Sequence, residues 1–151
     1  MIESVRSYLA IFSAPPEAEA ERLRALATAL ATLDYVYHSA AEVPFVEFDD
    51  PPPRSGYKAT CAIVARAFPK FGFYAVVTLD PDPDAKVMVG DAIDDLADIA
   101  LELEEVEWLW DNRGPQEAAW QFQFGYRSHW GTHLHDVQRY VHRHYLKSHN
   151  L

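Results

Sequence analysis

DAIDDLADIALELEEVEWLWDNRGP (residues 91–115) runs directly into QEAAWQFQFGYRSHWGTHLHDVQRYVHRHYLK (residues 116–147). In the first half, Ile93, Leu96, Ile99, Leu103, Val106 and Trp110 recur at spacings of three and four, which predicts an amphipathic helix ending at Asn112. Asp91 suits its N-cap and Asp94 the N3 position. Asn112-Arg113-Gly114-Pro115 reads as a tight stop and restart, because Gly favours a helix exit and Pro a first turn. The second half predicts one helix from about Gln116 to Lys147, with Trp130, Leu134, Val137, Val141 and Tyr145 as its apolar stripe. A turn at Gly114 folds the two into an antiparallel hairpin.

Upstream, a short helix is expected over roughly residues 3–13, ending before Pro15-Pro16. A second begins in that proline pair and carries Leu23, Leu26, Leu30, Leu33 and Tyr37 on one face to about Ala41. Glu17, Glu19 and Glu21 lie in its first turns, where the helix dipole favours carboxylates. Residues 42–56, with three consecutive prolines, form a loop, and residues 57–68 a short, mostly buried helix. FGFYAVVTL (71–79) has strand composition but no evident partner, so it is expected to be extended or irregular, with a helical turn possible; DPDPDAK (80–86) is a turn-rich connection. The expected architecture is all-α: one domain over residues 1–151, an antiparallel bundle of four or five helices with a long irregular insertion at about 69–90.

Composition narrows the function. A net charge of −10 and a pI near 5.0 argue against nucleic acid and anionic membrane, both of which call for a basic surface. The N-terminus does not read as a convincing signal peptide or membrane span, and the single cysteine fits a reducing compartment, so a soluble cytoplasmic protein is expected. Cys61 reads as a small core residue. There is no glycine-rich phosphate loop, no GxSxG elbow and no HExxH helix.

The hairpin brings ionisable groups together. Asp98 is 16 residues before Gly114 and His129 is 15 after it; Asp95 and His133 are each 19 away. Both Asp–His pairs are therefore level along the axis. At about 100° per residue, Asp95 falls within about 20° of Val106 and His133 about 40° from Val137, so both border the core face. Asp98 lies about 60° from Asp95, within the row Asp91, Asp94, Asp98, Glu102 and Glu105, and His129 is about 40° beyond His133. Periodicity thus favours Asp95–His133 over Asp98–His129.

Two functions are open to this constellation. One is a structural Asp–His clasp between helices, with Trp130 packed over it and Gly131 admitting the neighbouring helix, in a non-catalytic domain that acts through an unknown protein partner or self-association and needs no cofactor. The other is a metal-binding protein or metal-dependent enzyme. His129 and His133, four residues apart on one helical face, can share a divalent ion such as Zn, Mn or Fe, with Asp95 or Asp98 supplying oxygen. The acidic row, and the face bearing His135, Arg139 and His142, read as solvated surface. Trp108, Trp110, Trp120 and Trp130 bracket the hairpin as core residues, or as a binding patch if partly exposed.

GDAIDDLADIALELEE followed by WQFQFGYRSHWGTH resembles an uncharacterised bacterial family, "domain of unknown function 5063". Its signature pairs an acidic Leu-Ala-Asp-Ile helix with a Phe-x-x-x-x-His-Trp-Gly helix, matched here by Leu96, Ala97, Asp98 and Ile99 and by Phe124, His129, Trp130 and Gly131. The resemblance covers about residues 88–145. It implies a small helical protein without an assigned activity, and it centres the candidate binding residues on Asp98, His129 and Trp130.

Overall fold

Helix α4 (Ala92–Asn112) is the axis of the molecule: α1 (Ile2–Ser13), α3 (Tyr57–Ala67) and the last helical rod all pack against it, and α2 (Glu19–Ser39) closes the far side between α1 and that rod. The computed structural model describes residues 1–47, 50–77 and 86–146. The rod consists of α5 (Pro115–Gly125), a π-helical turn (Tyr126–Trp130), α6 (Gly131–Val141) and a second π-helical turn (His142–Leu146), joined without a break in helical backbone. The fold is a predominantly α bundle with a small two-stranded sheet. Among the described residues no helix is long and apolar enough to cross a membrane.

Because α4 is covered on several sides, it buries more than one stripe. Leu96, Ile99, Leu103 and Val106 are buried as their spacing requires, and so are Ala97, Ala100 and Leu101 beside them. Each buried Leu or Ile side chain contributes about 1.5–3 kcal/mol relative to exposure. Tyr8 from α1 reaches into this core and donates its hydroxyl to the Leu96 carbonyl at 2.9 Å. Asp91 caps α4 by accepting from the Ile93 amide at 3.0 Å. The loop after α2 is tied to α5 by the buried Gln123, whose amide accepts from Val43 N–H and donates to the Ala41 carbonyl.

The expected irregular insertion contains a hairpin instead. β1 (Phe73–Val77) pairs antiparallel with β2 (Val87–Asp91), with Tyr74 opposite Gly90 and Val76 opposite Met88. Read alone, residues 71–79 lacked a partner because VMVGD (87–91) is too short and too exposed to announce itself as a strand; the expected connection at 80–85 lies outside the described residues. Strand alternation turns Tyr74 and Val76 towards the helices and leaves Phe73 76% exposed. Gly90 is what admits the Tyr74 ring: a Cβ there would stand 2.8 Å from Tyr74 Cζ.

Three smaller expectations are also corrected. α3 buries only Thr60, Val64 and Ala67, so it is a one-faced helix, and Cys61 is half-buried at the edge of the core. α2 begins at Glu19, after the prolines. Gly131 serves its own helix, because a Cβ there would collide with the Tyr126 carbonyl oxygen, which accepts the Gly131 amide in the π turn. Gly131→Ala is therefore expected to destabilise the protein by about 1–3 kcal/mol through overpacking. Thermal unfolding checks this; an unchanged midpoint would show that the turn relaxes freely.

Candidate metal centre

Asp95, Asp98 and Glu102 stand on successive turns of α4, while His129 and His133 stand four residues apart on the π turn and α6. The helix pair brings the two rows face to face. His133 Nδ1 is 2.6 Å from Asp95 Oδ1, and His129 Nδ1 is 2.7 Å from Glu102 Oε1. In the neutral tautomers that donate each Nδ1–H to its carboxylate, both Nε2 atoms present a lone pair. The two Nε2 atoms are 3.3 Å apart, and Asp98 Oδ2 is 3.7 Å from the Nε2 of His133. The three ligand atoms of Asp98, His129 and His133 all lie within 4.8 Å of one another.

Two bare nitrogen lone pairs at that separation repel unless a proton or a cation lies between them. On a tetrahedral ion with Zn–N bonds of 2.0–2.1 Å, two imidazole nitrogens stand about 3.3–3.4 Å apart. The histidine pair already has that spacing; Asp98 Oδ2 is a few tenths of an ångström wide of it towards His133 and stands farther from His129, within the 4.8 Å that spans the set. Behind each ring, the Nδ1–carboxylate contact fixes tautomer and orientation, as outer-shell carboxylates do for metal-bound histidines.

The rear of the site is built from buried groups. The Asp95 side chain is 9% exposed, and its second oxygen accepts the hydroxyl proton of Tyr74. Burial, then the bond to Asp95, raises the Tyr74 pKa well above the usual tyrosine value, so the phenol stays a donor. The same carboxylate raises the His133 pKa through its hydrogen bond, against the opposing effect of burial. Burial and then Asp98 raise the Asp94 carboxyl. Glu102 approaches the opposite helix so closely that a Cβ on residue 125 would collide with its Oε2, which Gly125 avoids.

The structure brings Asp95 and His133 into contact. It does not pair Asp98 with His129: His129 turns to Glu102, one helical turn further along α4, and Asp98 faces His133. His129 lies inside the π turn at Tyr126–Trp130, where the uniform 100° per residue of an α-helix does not hold. Asp95 stands behind His133, with both oxygens engaged on the side remote from Nε2. Trp130 is fully buried, edge-on to Phe122 and Tyr126, and supports the turn from within the core without reaching the surface.

A family model described as "Domain of unknown function (DUF5063)" matches residues 1–147. The chain belongs to this family. A search of curated proteins gives no match. Among solved structures, this DUF5063 chain is similar to protein BF1032 from Bacteroides fragilis, with a TM-score of 0.71 and 12% identity over 93% of this chain and 90% of that one. At that identity the likeness speaks for the fold alone.

Sequence reasoning missed two residues that build the site in this DUF5063 chain. Tyr74 lay in the segment without an evident strand partner; the signal was its place two residues into β1, opposite a glycine. From the sequence alone Glu102 belongs to an acidic row expected to be solvated. In fact Glu102 meets His129, Glu105 meets Arg54 and Gln121, and Asp91 caps α4, so the row lies in grooves between elements. His135 is exposed as expected, yet its Nε2 is 3.0 Å from the Tyr126 hydroxyl, which also donates to Asp34 at 2.5 Å. Of the tryptophans, Trp120 is the one in an outward-facing cluster, stacked on Phe124 and edge-on to Phe45, which is 74% exposed.

Proposed function

We propose that this protein binds one divalent transition-metal ion through His129 Nε2, His133 Nε2 and Asp98 Oδ2. The observation that carries the reading is the 3.3 Å separation of two Nε2 atoms whose Nδ1 atoms are both bonded to carboxylates. A His–His–carboxylate set suits Zn or Fe and leaves positions open for water or a substrate, which is the requirement for a metal-dependent enzyme. Asp95 and Glu102 act as orienting groups in this reading. They keep both imidazoles in the ligating tautomer.

Elemental analysis of protein purified without an affinity tag tests the proposal. About one equivalent of Zn, Mn or Fe is expected, lost in His129→Ala and in His133→Ala. Glu102→Gln leaves all three ligands in place and is expected to weaken binding about 10–100-fold, the usual cost of removing an outer-shell partner. Sub-stoichiometric metal, combined with no uptake on titration of the metal-free protein, would overturn the assignment.

A second reading is favoured by the Tyr74–Asp95–His133 chain, which ties the hairpin, α4 and α6 together. In it, the Asp–His pair is a structural clasp in a non-catalytic domain, a proton occupies the space between the histidines, and the Phe45–Trp120–Phe124 surface meets a partner.

A further inference from the structure

We propose that the cleft between β1 and the C-terminal part of the last helical rod binds a small organic anion carrying a phosphate or a carboxylate, held by Arg139 and Arg143. The cleft has a volume of about 810 Å³, which falls within the range of about 300–1,000 Å³ typical of small-molecule sites. One wall is formed by Tyr74 and Val76 of β1, and the other by Asp136, Arg139, Tyr140 and Arg143; His142 lies at the rim. The proposal is independent of the metal assignment.

Charge distribution singles this cleft out. The chain has 13 Lys and Arg against 23 Asp and Glu, so most cations find a carboxylate. Arg6 sits on Glu107 and Asp111, Arg54 on Glu105, Lys70 on Glu19, and Arg127 on Glu42. Arg24, Lys58 and Arg66 have no such carboxylate and are exposed, as Arg139 and Arg143 are, but none of the three lines this cleft. Arg139 and Arg143 differ in their place on the cleft wall. They are four residues apart, line one concave wall, and among the described residues have no carboxylate within salt-bridge distance. Two guanidinium groups on the wall of one hollow offer the forked donors that carboxylates and phosphates fill with paired hydrogen bonds.

The remaining lining constrains the ligand further. Asp136 is the one acid among the lining residues; burial followed by Asp95 raises its pKa, against the opposing charge of Arg139 one turn away. It is suited to a ligand hydroxyl or amine, so the anionic group of the ligand belongs towards Arg143, with Arg139 between the two. Tyr74 offers its ring, since its hydroxyl is committed to Asp95. The ligand would therefore lie against the residue that orients Asp95, beside the histidine pair and separate from it.

The test is isothermal titration of the metal-free, full-length protein with inorganic pyrophosphate and, separately, with succinate, at constant ionic strength. One of the two dianions is expected to bind with a Kd below about 1 mM, and which one binds identifies the anionic group. Arg139→Gln and Arg143→Gln are each expected to weaken that binding about tenfold or more, the loss of one charge-assisted pair. Arg24→Gln, on the exposed face of α2, is expected to bind as the wild type does. The proposal fails if neither dianion binds, if both cleft variants bind like the wild type, or if Arg24→Gln weakens binding as much as they do, since that last result means only general electrostatic attraction.

Discussion

Asp95→Ala is expected to lower the free energy of unfolding by about 3–5 kcal/mol, measured by urea denaturation of the metal-free protein. Asp95 is the least exposed carboxylate of the site, and both its oxygens are used, one by His133 Nδ1 at 2.6 Å and one by the Tyr74 hydroxyl. Truncation leaves the imidazolium without its counter-charge and the phenol without its acceptor, and it opens a void beneath the hairpin. Removing one partner of a buried pair costs far more than the pair is worth against an apolar replacement, because the surviving charge stays desolvated. Asp98→Asn is the contrast. Its contact to His133 is long, at 3.7 Å, so in the metal-free protein it should cost less than about 1 kcal/mol. Equal losses in the two variants would mean that Asp95 has no special structural role.

Metal addition is expected to produce the second large effect. Zinc at about 1,000 times its dissociation constant raises the stability of a protein that binds it only when folded by about 4 kcal/mol. For a chain of this size that is a rise in Tm of about 8–16 °C, absent in His129→Ala. The pH dependence separates the metal from a proton. In the metal-free protein the His133 pKa is raised above its ordinary value of 6.5. A raised histidine pKa contributes stability that is fully present below the unfolded value and is lost as pH rises through the folded one. The free protein should therefore lose this contribution as the solution becomes more alkaline than about pH 6.5. Metal binding requires neutral imidazoles, so the increment from zinc has the opposite sign and grows over the same interval. A zinc effect independent of pH, or one retained without His129, would place the ion elsewhere.

How much of this was legible in the chain can be judged residue by residue. The helices were readable because burying one face imposes a spacing of three and four, and the Asn112–Pro115 stop forces a hairpin. The level of Asp95 with His133 followed from counting, since both border core stripes whose positions periodicity sets. The partner of His129 did not follow, because His129 itself lies inside the π turn at Tyr126–Trp130, where the angular spacing of a uniform helix does not apply. Nothing in YRSHW marks a wider coil locally. It forms here where the Tyr126 carbonyl accepts the Gly131 amide beside the buried Trp130 ring, and a glycine at 131 leaves room for it.

The β-hairpin shows the same division. FYAVV has strand composition, yet a strand is defined by its partner, and VMVGD has three exposed residues out of five, with little apolar alternation of its own. Only the assembled sheet puts Tyr74 opposite Gly90 and so aims its hydroxyl at Asp95.

By itself, then, the amino-acid sequence determined the helical class, the hairpin between the last two long helices, and the gathering of carboxylates and histidines on facing sides. These depend on periodicity and on local stop signals, which short stretches encode completely. Only the tertiary structure decided which carboxylate each imidazole takes, that Tyr74 stands behind Asp95, and that the two Nε2 atoms come within 3.3 Å of each other. Such choices turn on a shift of one residue or a fraction of a helical turn. Packing between elements distant in the chain sets shifts of that size.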